Sequence, residues 1–94
     1  MQPAIYILAS RPNGTLYVGV TSDLIQRIWQ HKNNVVEGFT QKYGVHTLVY
    51  FEQHSTMHDA ISREKQLKAG SRAKKIALIV SMNPNWEDLY DGLL

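Results

Sequence analysis

Two β-prone runs divided by a turn open this chain and constrain it more than any other feature. Ala4 to Ala9 reads AIYILA, Thr15 to Val20 reads TLYVGV, and RPNG stands between them with its Pro, Asn and Gly. Such runs across a short turn predict a β-hairpin. Thr21 to Asp23 then supply helix-capping side chains. Leu24, Ile25, Ile28 and Trp29 recur at helical spacing, which predicts a helix to about Lys32 with those four on its buried face.

The segment NNVVEGFTQKYG, with its paired asparagines and two glycines, is expected to be a loop holding one turn of helix. Thr47 to Glu52, TLVYFE, is a nearly continuous apolar run. It is expected as a third strand, either central or covered by helices on both faces. Ser55 or Thr56 caps a second helix to about Ala69. Gly70 punctuates, Ser71 caps a third helix to about Ser81, and the proline of NPNW ends it. Trp86, Leu89 and Tyr90 in the tail are expected to pack back. The order ββα-β-αα predicts an α/β (α+β) sandwich: one domain over residues 1–94, with a three-stranded, mainly antiparallel sheet flanked by helices.

Composition narrows the function classes. The 94 residues are 44% hydrophobic and 19% charged, which suits a folded globular chain and excludes a disordered one. With no cysteine, disulfides and thiolate metal sites are impossible. No apolar run approaches the ~20 residues of a membrane span, and no signal-peptide pattern is seen, so the cytoplasm is the expected location. The net charge of +2 conceals a local excess: Arg63, Lys65, Lys68, Arg72, Lys74 and Lys75 are six of the ten Lys/Arg. That segment is either a solvated helix face or a contact for a polyanion.

Glu64 breaks a pattern. Met57, Ala60, Ile61 and Leu67 form an i, i+3, i+4 stripe on the second predicted helix, and Glu64 occupies a position that continues it. A carboxylate on a core-facing stripe must be paired or must hold a cation, because burying it bare costs several kcal/mol. It is therefore either half of a salt bridge or a lone Mg²⁺ ligand. Arg27 and His31, one turn apart on the first helix, can bring their heads to one point. Tyr6 and Tyr17 lie on the two hairpin strands, and a register slip of one residue decides whether they meet. Gly19 marks a close backbone approach. His54 and His58 have i, i+4 spacing without a convincing third ligand for zinc.

These residues resemble the signature of the GIY-YIG nuclease superfamily. Ala4-Ile5-Tyr6 and Tyr17-Val18-Gly19 stand for its two triplets, with Ala4 in place of the first glycine. Arg27, His31 and Glu64 match its arginine, its His or Tyr, and its glutamate in order. The similarity is closest to the small stand-alone bacterial members, and extends through GFTQKYG, EKQLK, SRAKKIALI and NPNWEDLY. Asn83 and Asn85 lie near a family asparagine without aligning cleanly.

The resemblance implies metal-dependent endonuclease chemistry on nucleic acid, with DNA preferred, in repair or recombination. Glu64 would carry Mg²⁺ or Mn²⁺, and Arg27 would stabilise charge on the phosphoryl oxygens. Tyr6, Tyr17 or His31 would handle the proton of the attacking water. Lys42 and Tyr43, with the Arg63–Lys75 segment, would guide the nucleic-acid backbone. The alternatives are a non-catalytic nucleic-acid-binding module and a protein-interaction domain; a partner protein would supply targeting.

Overall fold

The computed structural model describes residues 2–36 and 38–94; Met1 and Glu37, the latter within the predicted loop, lie outside the described residues. Three strands form an antiparallel sheet: β1 (Ala4–Ala9), β2 (Leu16–Thr21) and β3 (Thr47–Gln53), in the spatial order β2-β1-β3. Helix α1 (Leu24–Lys32) follows the hairpin and short α2 (Phe39–Tyr43) precedes β3. After β3 come α3 (Met57–Ala69), α4 (Arg72–Met82) and a final turn, α5 (Tyr90–Leu93).

Local chemistry starts the helices where the sequence predicts. The side chains of Asp23, Thr56 and Ser71 accept backbone N–H bonds from Gln26, Asp59 and Lys74, at 3.2, 3.1 and 3.2 Å. Each satisfies a donor that a helix N-terminus otherwise leaves orphaned.

Every residue of β1 is buried, because this strand occupies the middle of the sheet and both its faces are covered. Ile5, Ile7 and Ala9 join Val18, Val49, Tyr50, Ala60, Leu67, Ile79 and Trp86 in one apolar cluster, beneath α3 and α4. Ala4, Tyr6 and Leu8 point the other way, into a second cluster with Leu24, Ile28, Val45 and Leu48. A register shift between Ile7 and Leu8 lets Val49 and Tyr50 both serve the first cluster. The third strand is therefore an edge strand covered on both faces, the second of the two expected arrangements.

Two expected helix faces are corrected. On α1 the buried residues are Leu24, Ile28 and His31, while Ile25 and Trp29 are 42% and 50% exposed. On α3, Ala60 and Leu67 are buried but Met57 and Ile61 sit at the surface. Periodicity supplied the helical spacing, but the phase is set by what stands opposite: Tyr6 beneath α1, and the β1–β2 face beneath α3. The tail packs back as predicted, with Trp86 buried and Leu89 donating its N–H to the Leu48 carbonyl at 2.8 Å.

Candidate active site

The register pairs Tyr6 with Gly19 and Leu8 with Tyr17, so both tyrosines share one face. A Cβ on Gly19 would collide with the Tyr6 ring and hydroxyl. Glycine there is required by the approach of an aromatic ring, since its backbone lies in an ordinary strand. The two phenol rings stand 6.3 Å apart, and the His31 imidazole lies 5.6 Å from each.

Within this cluster the hydrogen bonds form a line of side chains. The Tyr6 hydroxyl and His31 Nε2 are 2.9 Å apart, and His31 Nδ1 lies 3.0 Å from Thr40 Oγ1. Tyr6, His31 and Thr40 are each at most 2% exposed. With both ring nitrogens engaged, the imidazole has one donor and one acceptor role to fill, and its neutral form fills both. Burial, reinforced by the charges of Arg27 and His46, lowers the His31 pKa to about 4, so it is neutral at pH 7. Burial also pushes the Tyr6 phenol up to about 12. The adjacent Arg27 guanidinium opposes that shift, while Tyr17 and the negative charge of Glu64 add to it.

Arg27 is half-buried, and its Nη1 donates to Gln30 Oε1 at 3.3 Å. Among the described residues no acid lies within ion-pairing distance of it. Glu64 has a side chain 16% exposed, with Lys68 Nζ 3.3 Å away on the next turn. Tyr17 is partly exposed and its hydroxyl has no hydrogen-bond partner among the described residues. It lines a groove of about 560 Å³ together with Thr15, Leu16, Val18, Phe39, Lys68, Arg72 and Lys75.

The basic segment divides. Lys68, Arg72 and Lys75 reach the groove, while Arg72 also holds the hairpin tip through the Asn13 and Gly14 carbonyls at 2.7 and 2.6 Å. Arg63 instead grips Glu52 with two bonds of 2.9 Å. Lys74 borders a separate cleft between α3 and α4, and Lys65 is exposed on α3. Asn83 is buried far along the chain, bonding the Val49 carbonyl and both backbone groups of Glu87; Asn85 is exposed. His54 pairs with Glu52, and no three His, Cys, Asp or Glu side chains gather as a metal cluster among the described residues.

Thr40 escaped sequence reasoning. A threonine in a polar loop carries no signal; only the fold carries α2 over His31. With the paired triplets, the arginine, the histidine and the glutamate now set in space, comparison with known proteins is decisive: residues 2–77 match the model of the GIY-YIG catalytic domain. This chain belongs to the GIY-YIG family.

Its relatives include UPF0213 proteins. One from Staphylococcus saprophyticus is 37% identical over 75 residues, covering 80% of this chain and 90% of the relative. Another, from Clostridium perfringens, is 38% identical over 77 residues, covering 82% of each. The solution NMR structure of the UPF0213 protein from Bacillus halodurans covers 94% of this chain and 93% of its own, with 28% identity and a TM-score of 0.58. The expected sheet flanked by helices is thus borne out. Membership of this nuclease family supports an endonuclease-type function, and a GIY-YIG nuclease domain implies a nucleic-acid substrate. No helix among the described residues is long and apolar enough to cross a membrane.

Proposed function

We propose that residues 1–94 act as one GIY-YIG catalytic domain that hydrolyses phosphodiester bonds in DNA with the help of Mg²⁺ or Mn²⁺. The observation that carries this reading is the convergence of Tyr6, Tyr17 and His31, with the Arg27 guanidinium adjacent to Tyr6, beside a groove lined by three cations.

Glu64 suits a divalent cation. Its carboxylate is largely withdrawn from water, yet its ion-pair partner is a half-exposed lysine that can swing away. One carboxylate matches Mg²⁺, which keeps several waters and binds through one or two protein oxygens. When bound, the ion would supply Lewis-acid stabilisation of charge on the phosphoryl and leaving oxygens.

The chain's own residues take the remaining tasks. Arg27, with no acid in ion-pairing distance among the described residues, would offer paired donors to the equatorial oxygens of the transition state. Tyr17 is the partly exposed tyrosine that lines the groove, so it would receive or orient the attacking water. Tyr6 and His31 are too buried to meet solvent and would act as positioning residues behind it. Neutral His31 can hydrogen-bond the Tyr6 hydroxyl through Nε2 and Thr40 through Nδ1, which holds the imidazole in place behind Tyr17. Lys68, Arg72 and Lys75 would neutralise the backbone without reading sequence.

The test is cleavage of labelled supercoiled, duplex, branched and single-stranded DNA, and of RNA, with Mg²⁺, Mn²⁺ or EDTA. Wild type should cut DNA only with metal, and Glu64→Ala should cut about 10²–10³-fold more slowly, as when a transition-state charge partner is removed. Binding without cutting by either protein would favour the non-catalytic nucleic-acid-binding module instead.

A further inference from the structure

The groove beside Tyr17 continues into an aromatic surface that the catalytic site does not use. Phe39 stacks on Tyr17 with centroids 6.0 Å apart and planes at 28°, and Tyr43 follows at 4.8 Å from Phe39. Phe39 and Tyr43 are 45% and 50% exposed. They lie on α2, whose five residues are too few for a helix to be stable by itself. Inward-facing Thr40 anchors it instead, through the bond to His31 and a carbonyl that accepts from Val45 at 2.9 Å. Phe39 and Tyr43 keep about half of their surface open for a ligand.

Charge surrounds these rings. Lys68, Arg72 and Lys75 line the same groove as Phe39 and Tyr17, and Lys42 Nζ lies 5.5 Å from the Tyr43 ring. An apolar protein surface would bring no negative charge to these cations, of which Lys68 alone has a carboxylate partner, Glu64, among the described residues. A polymer carrying both flat π-faces and regular negative charge satisfies both parts, and single-stranded nucleic acid has that combination: bases stack on aromatic side chains while phosphates track a cationic groove. A continuous duplex keeps its base faces covered and offers only phosphates.

We infer that Phe39 and Tyr43, continuing from Tyr17, form a stacking subsite for unpaired bases next to the scissile phosphate, so that the substrate is single-stranded nucleic acid or a single-stranded region. The identity of the polymer rests on the nuclease reading above; the stacking subsite rests on the aromatic geometry and the cations around it.

Binding is measured by fluorescence anisotropy in EDTA, which removes dependence on cleavage. The probes are strands of about 12 nucleotides, within the span a single-strand site covers: DNA, RNA, the DNA duplex of the same sequence, and a DNA strand of abasic sites. Wild type should bind a base-bearing single strand at least about tenfold tighter than duplex or abasic strand. Phe39→Leu with Tyr43→Leu keeps apolar bulk and removes the ring faces. It should lose roughly 5- to 100-fold on base-bearing single strands and nothing on the other two. Phe39→Trp should retain wild-type affinity.

Duplex or abasic strand bound as tightly as the base-bearing strand would overturn the inference, as would an equal loss on all probes in a folded variant. Should the double variant unfold, the wild-type comparison with the abasic strand decides alone. Base-dependent binding without metal-dependent cutting would keep the subsite and remove the nuclease. Cutting with equal affinity for duplex would do the reverse. A preference of RNA over DNA would sustain the subsite and correct the polymer.

Discussion

The two faces of β1 solve different problems with alternate residues of one strand. On one face Ile5, Ile7 and Ala9 meet aliphatic side chains, Trp86 and Tyr50, whose hydroxyl donates to Glu52 at the sheet edge, and the buried amide of Asn83 nearby bonds only to backbone. On the other, Tyr6 is surrounded by a phenol, an imidazole, a guanidinium and a hydroxyl, and its line of hydrogen bonds runs through side chains only. Bonds to backbone lock a segment, because the acceptor cannot rotate or change protonation. Bonds among side chains can exchange a proton or a tautomer without unfolding anything. Among the described residues no buried side-chain polar atom lacks a partner, so the Tyr6 face is as fully satisfied as the aliphatic one.

Substitutions on opposite faces should separate stability from activity most sharply. Ile7→Ala opens a cavity in the dry cluster and should cost about 2–5 kcal/mol in chemical denaturation, with cleavage per folded molecule unchanged. Arg27→Ala should reverse this, lowering the cleavage rate about 10²–10³-fold with little change in unfolding midpoint. If Arg27→Ala instead unfolded the protein while remaining as active per folded molecule, the division of labour would be wrong.

Gly19→Ala tests whether one face's chemistry depends on a missing side chain. Its methyl group would press on the Tyr6 ring, with a cost of about 1–3 kcal/mol for overpacking and an accompanying loss of cleavage. Full activity with an undisturbed Tyr6–His31 bond, read by the imidazole resonances in NMR, would show that the ring has room to yield.

Tyr6→Phe and Asn83→Ala form a matched pair. Each leaves buried groups without a partner, at about 1–3 kcal/mol. Tyr6→Phe should also slow cleavage, whereas Asn83→Ala should only loosen the junction of α4 with the tail.

The remaining prediction concerns pH. His31 ordinarily titrates near 6.5 and in the fold near 4, so as pH falls below about 6.5 the unfolded chain takes up a proton that the native chain refuses. Stability should therefore decline from about pH 6.5 toward about pH 4, and be free of this contribution above that range. His31→Gln should flatten the slope in urea unfolding across those values; an unchanged slope would assign it to other groups.

Much of the site was legible in the residues themselves. The hairpin and the three capped helices announce themselves, since turn chemistry, capping and periodicity act over a few neighbouring positions, whereas the ordered Tyr6, Tyr17, Arg27, His31 and Glu64 stand out through their resemblance to the family signature. Phase, register and contact needed the tertiary structure. Whether Tyr6 and Tyr17 share a face depends on a pairing that one residue of slip would reverse. Trp29 turned outward and His31 inward because α1 lies over Tyr6, whose hydroxyl meets the imidazole. Thr40 joined that line, and Arg63 turned to Glu52, because elements distant in sequence were brought together. Local rules set spacing along an element; only burial against another element decides which residues of that spacing face inward.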